Sequence, residues 1–367
     1  MRKIRDYIGI IIFIIMLVVL LGLLAGLISM YKPAKKKQIM VGAVFIDDID
    51  DDGWNEGHYN AILASCEEYN YKLHIVTNVK ETLADTEKAV DQLVENGCNV
   101  IFLTSGGFGK EVYPVFEKYE DVQFYTIAAD SEPSNAISYF LRIYQMRYLS
   151  GILAGMKTKS NVLGFVAASN TPQANRGINA FLLGARSVNP DVVVKVRFLG
   201  TWTDAEAEEK AARRLILEDG ADVITYHASI HTAVDAAEEL GVYSIGYNNH
   251  NTSYSDNYLA SILCNWDVLY GEILSDFTKG NISDDKYYWR GIVYDAVGLS
   301  EPSDAVTEEM KELVRERRKQ LNQADDVFRG DLISNKGKVM CRQGERITDD
   351  ALLHRMNWFL EGVEIYD

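Results

Sequence analysis

The chain has few cysteines and far fewer basic than acidic residues, and each shortage excludes a class of function. Only four of its 367 residues are cysteine, and they show neither a C-x-x-C pair nor metal-ligand spacing: Cys66, Cys98, Cys264 and Cys341. We interpret them as buried free thiols, with a Cys264–Cys341 disulfide left open. The formal net charge of −16 argues against a nucleic-acid partner, because phosphate backbones bind to clustered basic residues.

Motifs that carry catalysis or hold a metal are also missing. The sequence contains no G-x-S-x-G nucleophile elbow and no P-loop. Residues 48–53 resemble the start of a calcium loop, but Tyr59 stands where its final acid is required. His227 and His231 have the spacing of a zinc pair but lack the accompanying glutamate. We therefore predict that the protein is not an enzyme and holds neither a metal nor a cofactor.

The N-terminal region predicts a membrane anchor. Residues 8–30 carry no charge, and as a helix such a run spans roughly 35 Å, enough for a bilayer core. The run is long for a cleavable signal, has no clear cleavage site after it and contains no cysteine for lipid attachment. We predict that residues 1–37 are an uncleaved single-pass anchor in the cell membrane, with the rest of the chain extracytoplasmic. A cleaved signal is the alternative.

From residue 38 onward, apolar strands alternate with helices in two successive series. The first has strands at residues 39–46, 72–76, 100–103 and 122–128; the second has strands at 162–167, 192–198, 223–226 and 242–245. Helices of 9 to 15 residues lie between them, which predicts βαβ units and parallel sheets. The predicted fold class is α/β, with two lobes that each contain a parallel sheet flanked by helices.

The same pattern gives predicted domain boundaries. Lobe 1 comprises residues 38–140 and 259–306, and lobe 2 comprises residues 141–258. The polar stretch 130–138 is the predicted first crossover, and the strand 259–263 with the helix after Trp266 is the predicted return. Residues 307–367 form an appendage of one charged helix and one hairpin that packs on the lobes.

Trp54 lies on an acidic, glycine-bearing loop directly after the first predicted strand. Ligands of open α/β sheets bind at the carboxyl ends of the strands, and a flat ring there favours stacking on a flat ligand. The alternative is that Trp54 packs on its own helix and that Asn55 only caps it. Further candidates for the wall of this cleft are His58, Phe108, His227 and Trp266.

Several segments after residue 37 occur in a distinctive order and spacing. They are D-D-G-W-N at residues 51–55 together with His58, Y-Q-M-R-Y-L-S-G-I-L-A-G at 144–155, G-F-V-A at 164–167, G-I-N-A-F at 177–181, W-T-D at 202–204, G-A-D-V-I at 220–224, G-Y-N at 246–248, N-W at 265–266 and N-W-F-L-E-G-V at 357–363. Together they resemble the basic membrane protein (BMP) family of ABC-transporter substrate-binding proteins, some of which bind purine bases or nucleosides. The resemblance implies a periplasmic-binding-protein-like fold.

The resemblance also implies a pocket. Trp54 and Trp202, one from each lobe, would sandwich a base, while Asp51, Asn55 and Asn248 would form hydrogen bonds with it. Asn248 stands where an acid is usual in the family, and no lysine occupies positions 265 and 266, where nucleoside-binding relatives have one. A free base or another flat heterocycle is therefore an open alternative to a nucleoside.

We predict an extracytoplasmic solute-binding protein of an ABC importer, with a purine base or nucleoside as its ligand and an ABC permease as its partner. The alternative is a membrane-anchored regulatory protein that senses a ligand without transport.

Overall fold

The computed structural model describes residues 13–26, 38–51, 53–127, 132–248, 254–282, 287–324 and 326–366. The chain divides after Ile39 into a short N-terminal unit and a compact second unit. In the first unit, residues 13–26 are helical, and the rest of the predicted anchor lies outside the described residues. Within the described part of the chain, no helix is both long and apolar enough to cross a membrane.

The second unit alternates strands and helices along most of its length. Its strands are β1 Met40–Val44, β2 Lys72–Val76, β3 Val100–Leu103, β4 Gln123–Thr126, β5 Ala136–Leu141, β6 Val162–Ala167, β7 Val193–Phe198, β8 Val223–His227, β9 Tyr243–Tyr247, β10 Tyr258–Cys264, β11 Tyr287–Arg290, β12 Val297–Leu299, β13 Leu332–Ile333, β14 Val339–Cys341 and β15 Val363–Tyr366. Its α-helices are α1 Trp54–Glu68, α2 Leu83–Glu95, α3 Tyr113–Lys118, α4 Ile143–Lys157, α5 Pro172–Arg186, α6 Ala205–Leu217, α7 Thr232–Leu240, α8 Trp266–Lys279, α9 Glu308–Gln323 and α10 Asp349–His354.

Lobe 1 is built on a six-stranded sheet in the order β11-β5-β4-β3-β1-β2, with every pairing parallel. Its central strand β3 is buried along its whole length, as expected for a parallel sheet that helices cover on both faces. Helix α2 begins at a side-chain cap, because the Thr82 hydroxyl accepts a hydrogen bond from the Asp85 amide. Strands β1 and β3 are parallel neighbours, so their carboxyl ends lie side by side at one edge of the sheet.

Lobe 2 has a seven-stranded sheet in the order β12-β10-β9-β8-β6-β7-β15, parallel except for the β10–β12 pair. Helices α4 and α5 pack against each other unusually closely, because glycines replace side chains at their contact. A methyl group at Gly184 would lie 1.9 Å from the Tyr148 carbonyl oxygen, and one at Gly151 would lie 2.2 Å from the Phe181 carbonyl oxygen. The N-terminal end of α5, which follows β6, lies at the edge of the lobe.

The structure corrects the predicted crossovers. Residues 136–141 form β5, a fully buried strand of lobe 1, so the first crossing falls at Arg142 and not within residues 130–138. Residues 130–131 lie outside the described part. Strand β10 pairs with β9 in lobe 2, and β12 also joins that sheet, whereas both were predicted in lobe 1. The reason is that the chain crosses between the lobes twice more, once after β10 and once after β11. Of the elements from β10 to β12, only α8 and β11 therefore lie in lobe 1.

The C-terminal region is more than an appendage on the surface. Helix α9 packs on α4, and β13 and β14 form the expected hairpin, with Gly337 in the left-handed region at φ 74°. Strand β15, which was not predicted, adds a parallel edge strand to lobe 2 beside β7. All four cysteines are buried free thiols in the structure.

Candidate ligand-binding site

A cleft with a volume of about 490 Å³ separates the two lobes, within the size range of roughly 300–1,000 Å³ typical of small-molecule sites. Three parts of the chain supply its wall. Lobe 1 contributes Trp54, Glu81, residues 105–107 and Phe140; lobe 2 contributes Gln173, Arg176, Trp202 and Tyr247; the C-terminal region contributes Leu353 and His354. Most of these residues follow the carboxyl ends of parallel strands, where open α/β sheets bind ligands.

Trp54 is an aromatic residue of the cleft that several contacts hold in place. It is the first residue of α1, and its indole nitrogen Nε1 donates a hydrogen bond of 2.8 Å to the Thr104 carbonyl at the end of β3. Its ring packs edge-on against His58, at 4.4 Å between centroids, and against Trp266, at 5.5 Å. These contacts fix the plane of the indole before any ligand arrives.

Trp202 lies on the opposite wall, in the loop between β7 and α6. Its ring is half-buried and contacts the His227 ring at 5.9 Å between centroids, while its backbone carbonyl accepts a hydrogen bond from the Ser229 amide. The ring contacts of Trp54 and Trp202 are each with residues of the same lobe. The two indoles line one cleft, Trp54 from lobe 1 and Trp202 from lobe 2.

Asp51 and Asn55 are placed differently from the prediction. The Asp51 carboxylate accepts hydrogen bonds from the amides of Gly53, Asn55 and Glu56, at 2.9 to 3.0 Å, and from Asn55 Nδ2 at 2.8 Å. These bonds satisfy free amides at the start of α1, so the carboxylate serves as a helix cap. Neither residue lines the cleft, and the geometry assigns Asp51 to positioning Trp54 and not to accepting hydrogen bonds from a ligand.

Three further predicted residues lie behind the wall of the cleft and do not line it: His58, Trp266 and Phe108. His58 is fully buried, with Nδ1 2.7 Å from the Tyr270 hydroxyl oxygen and its ring 4.1 Å from Trp266, and burial lowers the pKa of His58 well below its usual value. Trp266 is 2% exposed and supports Trp54. Phe108 belongs to the core of lobe 1, and its neighbours at 105–107 line the cleft in its place.

His227 supports the second wall. Its ring stacks on Tyr247 at 4.7 Å with an interplanar angle of 19°, and Tyr247 in turn lines the cleft. Burial lowers the pKa of His227 well below its usual value, and the positive charges of Arg147 and Arg176 lower it further, so the imidazole is neutral. His227 Nε2 lies 3.3 Å from Gln173 Nε2, the side chain that continues the wall.

Asn248 connects the lobes. It follows β9 in the left-handed conformation, at φ 52°, and its Nδ2 donates a hydrogen bond of 3.4 Å to the Gly53 carbonyl of lobe 1. It borders a small hollow of about 10 Å³ beside Trp54 and does not line the main cleft. Its position makes it a link between lobe 2 and the loop that carries Trp54.

Three features of the site were not predicted from the sequence. Glu81 lies beyond the carboxyl end of β2, and its Oε1 accepts hydrogen bonds from the Gly107 amide, at 2.7 Å, and from the Ser105 hydroxyl. Arg176 lies near the start of α5, the helix that follows β6. Residues after the carboxyl end of a parallel strand are expected near the ligand, so this position could have been predicted. Leu353 and His354 reach the cleft only because the C-terminal region folds back, and no local pattern announces that.

A second cavity, of about 340 Å³, opens beside the crossings between the lobes. Two of the arginines on its wall are already paired with acids: Arg142 with Asp349, and Arg290 with Glu272 at 2.7 Å. The cleft between the lobes, with aromatic residues on facing walls, is the stronger candidate for ligand binding. Two lobes built on largely parallel sheets that enclose such a cleft define the class of periplasmic-binding-protein-like folds.

Comparisons with known proteins identify the family within this class. Residues 38–327 match the Bmp family model, described as ABC transporter substrate-binding protein PnrA-like, and the chain belongs to this family. The resemblance inferred from the sequence motifs is thereby confirmed.

Individual relatives cover most of the chain. A putative ABC transporter glucose-binding protein of Haloferax volcanii is 34% identical over 336 residues, covering 90% of this chain and 82% of that protein. A purine-binding protein of Brucella abortus is 28% identical over 336 residues, covering 90% and 94%. The crystal structure of a transcriptional activator of the comK gene from Bacillus halodurans has a TM-score of 0.68 at 23% identity, covering 78% of this chain and 98% of that one. This last similarity confirms the two-lobed fold.

Proposed function

We propose that this substrate-binding protein holds a purine base, or another planar heterocycle, between Trp54 and Trp202 and delivers it to an ABC permease. The proposal is supported chiefly by two indoles, one from each lobe, among the residues that line one ligand-sized cleft. Stacking of a base on an aromatic side chain contributes about 1–3 kcal/mol, and Trp54 is already fixed in its orientation, which lowers the entropic cost of binding. The purine-binding relative from Brucella abortus supports the same class of ligand.

A free base suits the cleft better than a nucleoside. Family members that bind nucleosides are expected to have a lysine at position 265 or 266. Here Asn265 Nδ2 donates a hydrogen bond of 2.6 Å to the Asp295 carbonyl, and Trp266 is buried behind Trp54. Neither side chain offers a cation that would bind ribose hydroxyls.

A hexose is the competing ligand, because the Haloferax volcanii relative is named as a glucose-binding protein. Hexose hydroxyls can form hydrogen bonds with groups such as Glu81 and Arg176, and the C–H face of a hexose can pack on an indole, but a hexose has no π-face of its own. Direct titration with both kinds of ligand therefore distinguishes the two proposals.

Closure of the lobes around the ligand is the expected signal to the permease. The chain crosses between the lobes after β5, β10 and β11, and short crossings of this kind act as a hinge. The uncharged run at residues 8–30 supports a membrane anchor that keeps the binding unit at the extracytoplasmic face. A ligand sensor without transport would need the same cleft and anchor, and failure of the ligand-loaded protein to bind a permease would favour it.

The test is calorimetric titration of the purified protein with adenine, hypoxanthine, adenosine and glucose. We expect a purine base to bind more tightly than adenosine, and glucose not to bind. A ligand that binds only the native state also raises the melting temperature, which gives an independent readout. Binding of glucose without binding of any purine would overturn the proposal.

A further inference from the structure

Arg176 is a buried cation on the wall of the cleft. It lies in the second turn of α5, whose N-terminal residues Pro172 and Gln173 also border the cleft. Only 4% of its surface is exposed, so its guanidinium group is held inside the protein at the edge of the ligand space. Its Nη1 donates a hydrogen bond of 2.8 Å to the Leu352 carbonyl, and the guanidinium carbon lies 5.2 Å from the centre of the Trp289 ring.

Within the described part of the chain, no carboxylate pairs with Arg176. The groups that act on it electrostatically are Tyr287, Tyr144, Tyr247 and the like-charged Arg142, and burial lowers the pKa of Arg176. Arg197 in the same lobe shows the usual arrangement, because its buried guanidinium lies 2.7 Å from an Asp219 oxygen. A guanidinium group stays charged in proteins, so an unpaired one at the edge of a ligand space favours a ligand that brings the missing acceptor.

A second buried arginine adds to the positive field of this wall. Arg147 lies behind His227 and Tyr247, donates hydrogen bonds to Thr225 Oγ1 at 2.9 Å and to the Tyr226 carbonyl at 2.6 Å, and has no carboxylate partner among the described residues. The wall of lobe 2 is therefore cationic. On the opposite wall, Glu81 Oε1 is held by Gly107 and Ser105, while Oε2 has no hydrogen-bond partner in the described residues. The cleft therefore has a carboxylate acceptor, Glu81, on the wall of lobe 1 and a guanidinium donor, Arg176, on the wall of lobe 2.

We propose that the ligand presents an oxo or anionic edge to Arg176, so that the preferred purines are oxopurines, with the planar urate anion bound most tightly. This inference rests on the proposed function. An oxopurine carries ring N–H groups for Glu81 and carbonyl oxygens for the guanidinium fork, whereas adenine has no carbonyl group. The ring system keeps its place between Trp54 and Trp202, and Arg176 determines which purine fits.

The experiment measures the dissociation constants of adenine, hypoxanthine and urate for the wild-type protein and for Arg176→Gln. We expect urate to bind most tightly, then hypoxanthine, then adenine. Arg176→Gln should weaken urate binding by about 10- to 100-fold, because a hydrogen bond to a charged group is lost, and should change adenine binding by less than about threefold. If Arg176→Gln does not fold, Arg176→Lys keeps the charge without the fork, and should still weaken urate more than adenine.

Arg186→Gln is the matched control. Arg186 lies on the same helix and also ties α5 to the C-terminal region, through a hydrogen bond of 2.6 Å from Nη1 to the Glu361 carbonyl, but it does not border the cleft. We expect this control to leave all three dissociation constants unchanged. Equal affinity of the wild-type protein for adenine and urate, or an equal loss for all three ligands in Arg176→Gln, would refute the role of Arg176 while leaving purine binding intact. Binding of glucose alone would instead refute the proposed function itself.

Discussion

Truncation of Trp202 is the perturbation that isolates the stacking interaction. The indole is half-buried, lies in a loop and has a ring contact only with His227 among the described residues, at 5.9 Å, so its removal leaves the core of lobe 2 intact. Loss of one stacking partner is expected to cost about 1–3 kcal/mol of purine binding. This corresponds to an increase of roughly 5- to 150-fold in the dissociation constant.

The assay is calorimetric titration of Trp202→Ala with the purine that the wild-type protein binds best, accompanied by a melting curve of each variant without ligand. Trp358→Ala is the matched control, since Trp358 is also half-buried on lobe 2 and its carbonyl also accepts one hydrogen bond, from Asn179, but it is not in the cleft. The reasoning is refuted if Trp202→Ala binds the purine as tightly as the wild type, or if both variants lose affinity equally.

Three further predictions concern the scaffold. Asp51→Ala removes the cap of α1 and should lower the free energy of unfolding by about 0.5–2 kcal/mol in urea titrations, whereas an unchanged value would contradict the capping role. Gly184→Ala forces α4 and α5 apart and should destabilise the protein by about 1–3 kcal/mol or more; a melting temperature equal to that of the wild type would disprove the close contact. Burial keeps His58 neutral in the folded state, because its pKa is lowered, while the unfolded chain binds a proton near pH 6.5. Relative to His58→Gln, the stability of the wild type should therefore fall as the pH drops below 6.5, by up to about 1.4 kcal/mol per pH unit, and parallel pH profiles of the two would exclude this linkage.

The strand-end position of the two tryptophans is why their placement was predictable. Carboxyl ends of parallel strands converge on one edge of each sheet, so Trp54 after β1 and Trp202 after β7 had to lie near the same cleft once the strands were recognised. The role of Asp51 was not predictable in the same way. A carboxylate before a helix can bind a ligand or cap the helix, and only the positions of the amides of α1 decide between the two.

Tertiary contacts explain the other differences. Strand β5 was missed because the polar residues that precede it read as a connection, although its own six residues are buried in lobe 1. Strand β10 was predicted in lobe 1, but its partner β9 places it in lobe 2. The importance of Arg176 is visible only in the structure, because a sequence does not show that a buried guanidinium group has no carboxylate beside it among the described residues.

The most direct test of the account is a calorimetric comparison of hypoxanthine with glucose on the wild-type protein, Trp54→Ala and Trp202→Ala. The account predicts that hypoxanthine binds the wild type, that each substitution weakens this binding by roughly 5- to 150-fold, and that glucose binds none of the three proteins. Glucose binding to the wild type in the absence of hypoxanthine binding would contradict the central claim that this cleft holds a planar heterocycle between two indoles.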